Sequence, residues 1–397
     1  MGKPVRRRFA RLGVRCGALF ALVALLALGP PAAAPWVLSA LSPHLAAVSS
    51  IALRTAGLVA ACGVPMLVLV AWRRRWFCRW LCPVGLIVEA CGKAAPFGRP
   101  ELGRVPPLGQ WAALASVGGA LLGVPLLLWA DPLSIFSGAV GALRGPVTVA
   151  CALAAGPLGL VVLLSLAVPN LWCARLCPLG GTQELLAGLK RRLARRPKPA
   201  PPPEVPADRL ARRAVLCAGA GAACAAAIPR LFRGSTDGEL RPPGALDEMR
   251  FKALCVRCGN CVRACPNRIL VRQLAGEASG FLTPVVRFPP ERPGERYCLE
   301  TCHACTRSCP TGAIRPLTLA EKNRRPIGLA EIDLPDCLIT LDQTCAVCQA
   351  ACPQDAISLV FHRETYTNAV VVDPARCNGC GACLVVCPVN VISIRRV

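Results

Sequence analysis

The residues best equipped for chemistry in this chain are its cysteines, 26 among 397 residues. Sixteen of them fall into four groups. Cys255, Cys258, Cys261 and Cys265 read CxxCxxCxxxCP, and Cys298, Cys302, Cys305 and Cys309 read CxxxCxxCxxxCP. Cys337, Cys345, Cys348 and Cys352 open with a gap of seven residues, and Cys377, Cys380, Cys383 and Cys387 restore the first spacing. Such short gaps let three thiolates of one loop wrap a single iron–sulfur cubane, while the cysteine before the proline turns to a neighbouring one. Tetrahedral zinc also accepts CxxC pairs, but four triplets each closed by xxxCP specify iron. The pattern predicts four [4Fe-4S] clusters.

Each motif continues into a short apolar segment, as in CPTGAI and CPQDAISL, so a strand is expected there. The outer two motifs share one spacing and the inner two are both variants. On that likeness, first is expected to pair with fourth and second with third. Cys387 would complete the set of Cys255, Cys258 and Cys261, and Cys265 that of Cys377, Cys380 and Cys383. Cys352 would join Cys298, Cys302 and Cys305, and Cys309 would join Cys337, Cys345 and Cys348.

Four more cysteines belong to a repeat. CRWLCPVGLIVEACGK (78–93) and CARLCPLGGTQELLAGLK (173–190) align at an offset of 95 residues and share CxxxCPxG with a Glu seven positions after the second cysteine. Cys78, Cys82, Cys173 and Cys177 are expected to converge about the repeat axis. They could hold one cluster jointly, two clusters completed by other ligands, or two redox dithiols. Glu89 and Glu184 are weak candidates for proton handling, against the simpler reading of carboxylates paired with nearby Lys or Arg. The remaining Cys16, Cys62, Cys91, Cys151, Cys217 and Cys224 are read as small packing residues.

The elements that must carry these groups differ between the two halves. The chain is 54% hydrophobic with a mean hydropathy of +0.48, more apolar than a soluble domain. Apolar runs near 16–34, 55–72, 108–130 and 147–172 approach the roughly 20 residues that a helix needs to cross a bilayer. Basic residues border them: residues 1–233 hold 27 Lys and Arg against 6 Asp and Glu, whereas residues 234–397 hold 19 against 16. With the N-terminus inside, 23 of those 27 cations are cytoplasmic, which fixes the expected topology. Basic charge distributed around apolar runs, rather than gathered on a groove-shaped face, excludes nucleic acid as the partner.

A fifth apolar segment, 214–229, follows Arg212 and Arg213 and a Pro-rich basic linker, RRPKPAPPPEVP (195–206). It reads either as an anchor or as a degenerate twin-arginine export signal. Export of a folded domain has a chemical reason here, because sixteen unprotected thiols entering an oxidising compartment would form disulfides. The stretch Ala225–Ala227 is placed where a cleavage site would lie. The chain has three histidines, His44, His303 and His362. No haem pair, P-loop, dinucleotide fingerprint or Ser-His-Asp arrangement stands out, which leaves electron transfer.

Residues 1–190 resemble NapH, and residues 209–397 resemble NapG, proteins of periplasmic nitrate reduction with MauN and MauM relatives in methylamine oxidation. The resemblance is carried by the two CxxxCP motifs and by RPPGALDEMRFKALCVRCGNCVRACP (241–266). It implies a four-span α-helical membrane module (1–190), a linker with a fifth anchor or twin-arginine-like signal helix (191–233), and an α+β polyferredoxin domain with four [4Fe-4S] clusters (234–397). It further implies a quinol dehydrogenase-type component of the bacterial inner membrane. Its N-terminus would be cytoplasmic and its ferredoxin domain periplasmic, passing electrons from the quinone pool to a periplasmic oxidoreductase or cytochrome. A thiol or iron–sulfur assembly or reactivation factor for a periplasmic metalloenzyme is the alternative.

Overall fold

The computed structural model describes residues 12–21, 23–24, 41–55, 58–73, 75–96, 102, 105–142, 148–193, 207–231, 239–275, 278–288, 296–341, 343–363 and 367–397. The chain divides into two compact units, Met1–Gly234 with Met249–Gly259 and Pro310–Ala313, and Ser235–Glu248 with Asn260–Cys309 and Ile314–Val397. Cys62 lies within the helix Leu58–Trp72, and the linker 195–206 lies outside the described residues.

The first unit is helical. Its helices are α1 (Leu12–Ala21), α2 (Pro43–Leu53), α3 (Leu58–Trp72), α4 (Trp76–Trp80), α5 (Pro83–Ala94), α6 (Leu108–Leu121), α7 (Pro132–Ala142), α8 (Val149–Ala167), α9 (Pro178–Leu193) and α10 (Ala207–Leu231). Among the described residues one helix, α8, is long and apolar enough to cross a membrane. The four crossings expected from composition are therefore not matched one for one. The run at 108–130 shows why: α6 stops at Leu121 in a left-handed cap at Gly123 (φ 80°), whose N–H bonds Ala120 O while Val124 N–H bonds Gly119 O. Hydropathy does not register such a stop. The run at 55–72 yields a helix of 15 residues with Pro65 inside it.

Two further helices arise where the sequence suggests connections. Ser42 caps α2, its hydroxyl accepting from Leu45 N–H. Asp131 precedes α7, accepting from Leu133 N–H (3.0 Å) and from the Ser42 hydroxyl (2.7 Å), so one carboxylate ties the starts of both helices together. The export-like segment is part of α10, which begins upstream of Arg212 and Arg213 and leaves both exposed. α10 lies closely against α6: a side chain on Gly118 would strike the Ala218 carbonyl, and one on Gly221 would strike Ala115. Small residues permit this backbone approach, as in helix pairs within membranes.

The second unit combines short helices with three two-stranded antiparallel sheets: β1 (Leu270–Arg272) with β2 (Pro284–Val286), β3 (Leu329–Ile332) with β6 (Ile392–Arg395), and β4 (Ile357–His362) with β5 (Thr367–Val372). Three strands begin at or next to a position five residues after a CP cysteine, namely Leu270, Ile357 and Ile392; the fourth such position, Ile314, forms an isolated bridge to Ala245. The expected strand follows three of the four motifs, a single bridge takes its place after the second, and all four residues are buried. Arg241, also buried, joins the segment before the first motif to the β1–β2 turn. It pairs with Glu248 (2.5 Å) and donates to Thr283 Oγ1, Pro284 O and Gln273 Oε1.

Candidate functional site

The local geometry of the four ferredoxin motifs follows from their turn residues. Three residues after each CP cysteine the backbone is left-handed: Arg268 (φ 51°), Gly312 (72°), Asp355 (46°) and Asn390 (55°). Gly, Asn and Asp suit that conformation, whereas Arg268 tolerates it at some cost. The turn aims backbone N–H groups at the sulfur it has just passed. Ile314 N–H points to Cys309 Sγ (3.4 Å) and Ala356 N–H to Cys352 Sγ (3.3 Å). Gly379 and Gly381 are left-handed inside the fourth motif, and a side chain at Gly381 would strike the Phe288 ring.

The cysteines gather into sets of four. Cys265 lines one apolar cavity with Cys298, Cys302 and Cys305. Cys352 lines a second with Cys377, Cys380 and Cys383, and Cys387 a third with Cys337, Cys345 and Cys348. This overturns the expected pairing of outer with outer and inner with inner motifs: the first motif passes its last cysteine to the second, and the third and fourth exchange theirs. The physical reason is packing. The helix Asn260–Ala264 of the first motif lies on Ala304–Arg307 of the second, and Val347–Ala350 of the third lies on Ala382–Val386 of the fourth. Adjacent motifs also close shorter loops, at lower entropic cost. One hydrogen bond links two of the sets, Cys298 N–H to Cys380 O at 2.8 Å.

These sets suit cubanes. Each is a ring of thiols about an apolar cavity, and burial pushes the Cys305 and Cys383 thiols up to about 12, with neighbouring cysteines adding to the rise. Burial also takes Cys380 up to about 11. Such thiols ionise only when a metal supplies compensating charge. Among the described residues, no three His, Cys, Asp or Glu side chains close on one point as a single-ion zinc site requires. A cubane instead offers four separate irons to four thiolates. Cys255 and Cys258 belong to the first unit, with the unit boundary falling between them and Cys261.

In the first unit the repeat is structural as well as sequential. Cys82 and Cys177 both stand in extended conformation directly before a helix, and each sulfur accepts an N–H three residues on, from Gly85 and Gly180, at 3.4 Å. A side chain at Gly85 would approach Cys78 O to 2.7 Å and one at Gly180 would approach Cys173 O to 2.8 Å, which accounts for the glycine in CPxG. Cys82 and Cys177 share one core with Leu133, Phe136 and Leu179, and Cys173 packs against it. The four thiols lie near enough to raise one another. Burial first, then this mutual repulsion, pushes Cys173 up to about 12, and burial pushes Cys78 up to about 11.

The two carboxylates of the repeat are paired. Glu184 meets Arg75 at 2.5 Å, across the repeat, and Glu89 meets Arg15 and Lys93. This is the ion-pair reading of both residues. Three consecutive residues of α9 reach into the first repeat: Thr182 to His44 Nδ1 (2.9 Å), Gln183 Nε2 to Cys78 Sγ (2.9 Å), and Glu184 to Arg75. Sequence reasoning passed over Thr182 and Gln183. The signal was there in the alignment of the repeats, where Ile87 and Val88 stand at the corresponding positions.

A chain with such thiol sets on such turns is an iron–sulfur protein of ferredoxin type. The comparisons with known proteins agree. A family model described as "4Fe-4S dicluster domain" matches residues 254–313 and 343–391, enclosing the first two motifs and most of the last two. A second, described as "4Fe-4S binding domain", matches 53–104 and 151–197, around the CxxxCP motifs. The chain is 37% identical over 161 residues to the methylamine utilization ferredoxin-type protein MauM of Methylophilus methylotrophus, covering 39% of this chain and 69% of the relative. It is 37% identical over 157 residues to the ferredoxin-type protein NapG of Escherichia coli K12, covering 37% and 65%. With NapF of the same organism it shares 33% over 165 residues, covering 41% and 87%. No solved structure matches. The chain belongs to the MauM, NapG and NapF family of ferredoxin-type proteins.

Proposed function

We propose that this protein is a membrane-anchored electron carrier that takes electrons from the quinol pool and delivers them to a periplasmic oxidoreductase or cytochrome. The observation that carries the reading is the exchange of cysteines between neighbouring motifs, together with the Cys298 N–H to Cys380 O contact, which brings ligands of two sets within one hydrogen bond. Bound [4Fe-4S] clusters supply one-electron transfer. The chain supplies the thiolates, the apolar walls and the N–H groups directed at sulfur. The sixteen cysteines of the four motifs are read as the ligands of four clusters in 234–397. A further cluster at Cys78, Cys82, Cys173 and Cys177 is supported by their convergence and by the "4Fe-4S binding domain" match around them.

The membrane part of the proposal assigns residues 1–190 to a NapH-like module, with α8 as its best-supported crossing and N-terminus inside. Residues 191–233 join it to the periplasmic ferredoxin domain, with α10 as anchor or twin-arginine-like signal. The repeat cysteines would then face the cytoplasm, about 30 Å of hydrocarbon away from the outer sets, so quinol itself is the carrier between faces. The alternative, a thiol relay in an assembly or reactivation factor, needs thiolates at the repeat cysteines. Burial that pushes Cys78 and Cys173 up to about 11 and 12 makes them poor nucleophiles at neutral pH.

The test is electron paramagnetic resonance on isolated membranes given a menaquinol analogue, with the terminal acceptor absent. Reduced cluster signals support the quinol-fed carrier. Clusters that respond to dithionite but not to quinol would refute it. Extraction of the protein from membranes by carbonate would refute the anchor.

A further inference from the structure

Lys322 is the one buried lysine among the described residues, 2% exposed. Its position follows from a short helix, Leu319–Arg324, whose capping box holds the start: Thr318 Oγ1 accepts from Glu321 N–H, and the Glu321 carboxylate accepts from Thr318 N–H at 2.8 Å. The cap turns the fourth residue of the helix inward. Lys322 Nζ donates to Leu299 O at 2.6 Å, the carbonyl next in the chain to Cys298, and its charge acts on the Cys298 sulfur. Among the described residues no carboxylate forms an ion pair with it, and its charge is directed at the cysteine set. Cys298 is also the residue whose N–H bonds Cys380 O, at the junction between the two dicluster halves.

We propose that Lys322 is a positioning and tuning residue for the cluster held by Cys265, Cys298, Cys302 and Cys305, raising its reduction potential so that electrons settle first at the junction. A cubane gains one negative charge on reduction, and a buried cation held on the backbone beside a ligand cysteine favours the more negative state. Low local dielectric makes this larger than any surface lysine could achieve. The proposal rests on the assignment of those four cysteines to one cluster.

The experiment is a potentiometric titration of the full-length protein followed by electron paramagnetic resonance, comparing wild type, Lys322→Met and Cys302→Ala. Lys322→Met keeps the volume and removes the charge. The expected result is that one midpoint falls, by at least a tenfold change in the one-electron equilibrium, about 59 mV, and that this signal is the one absent from Cys302→Ala. Unchanged midpoints in Lys322→Met would overturn the role of Lys322 and leave the cysteine assignment standing. A shift confined to a signal that survives in Cys302→Ala would overturn the assignment instead. Should Lys322→Met fail to fold, wild-type protein with ¹⁵N-labelled lysine serves: an Nζ coupling to one reduced cluster by electron–nuclear double resonance supports the proposal, and its absence from every cluster signal overturns it.

Discussion

Replacing Cys352 by alanine separates the two possible wirings of the ferredoxin domain. Cys352 lies after the third motif but lines the cavity of Cys377, Cys380 and Cys383. Cys352→Ala should therefore abolish the cluster of the fourth motif and lower the iron content by about four atoms per chain. The three thiols left behind should be sluggish toward alkylation. With Cys380 raised to about 11 and Cys383 to about 12 from an ordinary 9.0, their thiolate fractions at pH 8 are on the order of 10⁻³ and 10⁻⁴, against about 10⁻¹ for an unperturbed thiol. Iodoacetamide labelling located by peptide mass spectrometry should thus find Cys380 and Cys383 newly uncapped and slower than an exposed cysteine by about a hundred- to a thousandfold. If Cys352→Ala instead freed Cys298, Cys302 and Cys305, the outer-with-outer pairing would be restored and the reasoning from the cavities refuted.

Arg241→Met should destabilise the chain by about 1–3 kcal/mol in denaturant melts, because it takes the donor from Thr283 Oγ1, Pro284 O and Gln273 Oε1 while Glu248 keeps Arg396, whereas Arg287→Ala, which breaks a mostly exposed pair with Glu239, should cost no more than about 1 kcal/mol. Gly118→Leu should separate α10 from α6 and cost about 1–3 kcal/mol, read as a lower melting temperature and faster proteolysis within 207–231. Iron-free protein kept reduced should lose stability as pH rises. The raised thiols of Cys305 and Cys383 hold protons that the unfolded chain releases, so the contribution is complete below about 9 and lost through about 12; melts at pH 7.5 and 10.5 check the sign.

What was legible in the sequence was local. Ligand spacing, the apolar residue five positions after each CP cysteine and the 95-residue repeat are written within a few residues of one another, and the structure reproduces each. What was not legible depends on contacts between distant elements. Similar spacing suggested that the outer motifs belong together, but helix packing between neighbouring motifs decides the exchange. Apolar runs suggested uniform crossings, while the left-handed turn at Gly123 ends one of them early. Lys322 reads as a surface residue in LAEKNR until the capping box fixes which way the helix faces.

The exchange of the last cysteine between neighbours also bears on how the protein is made. None of the three sets seen is complete until the motif after the donor, or the donor itself, has been synthesised. The set of Cys265, Cys298, Cys302 and Cys305 becomes competent for iron only once Cys305 has emerged, and the last pair only once Cys387 has. Iron delivery is thus a late event that acts on nearly whole pairs, and a ribosome stalled between residues 352 and 377 would display a third motif carrying three thiols for a cluster it cannot finish and one for a partner not yet present.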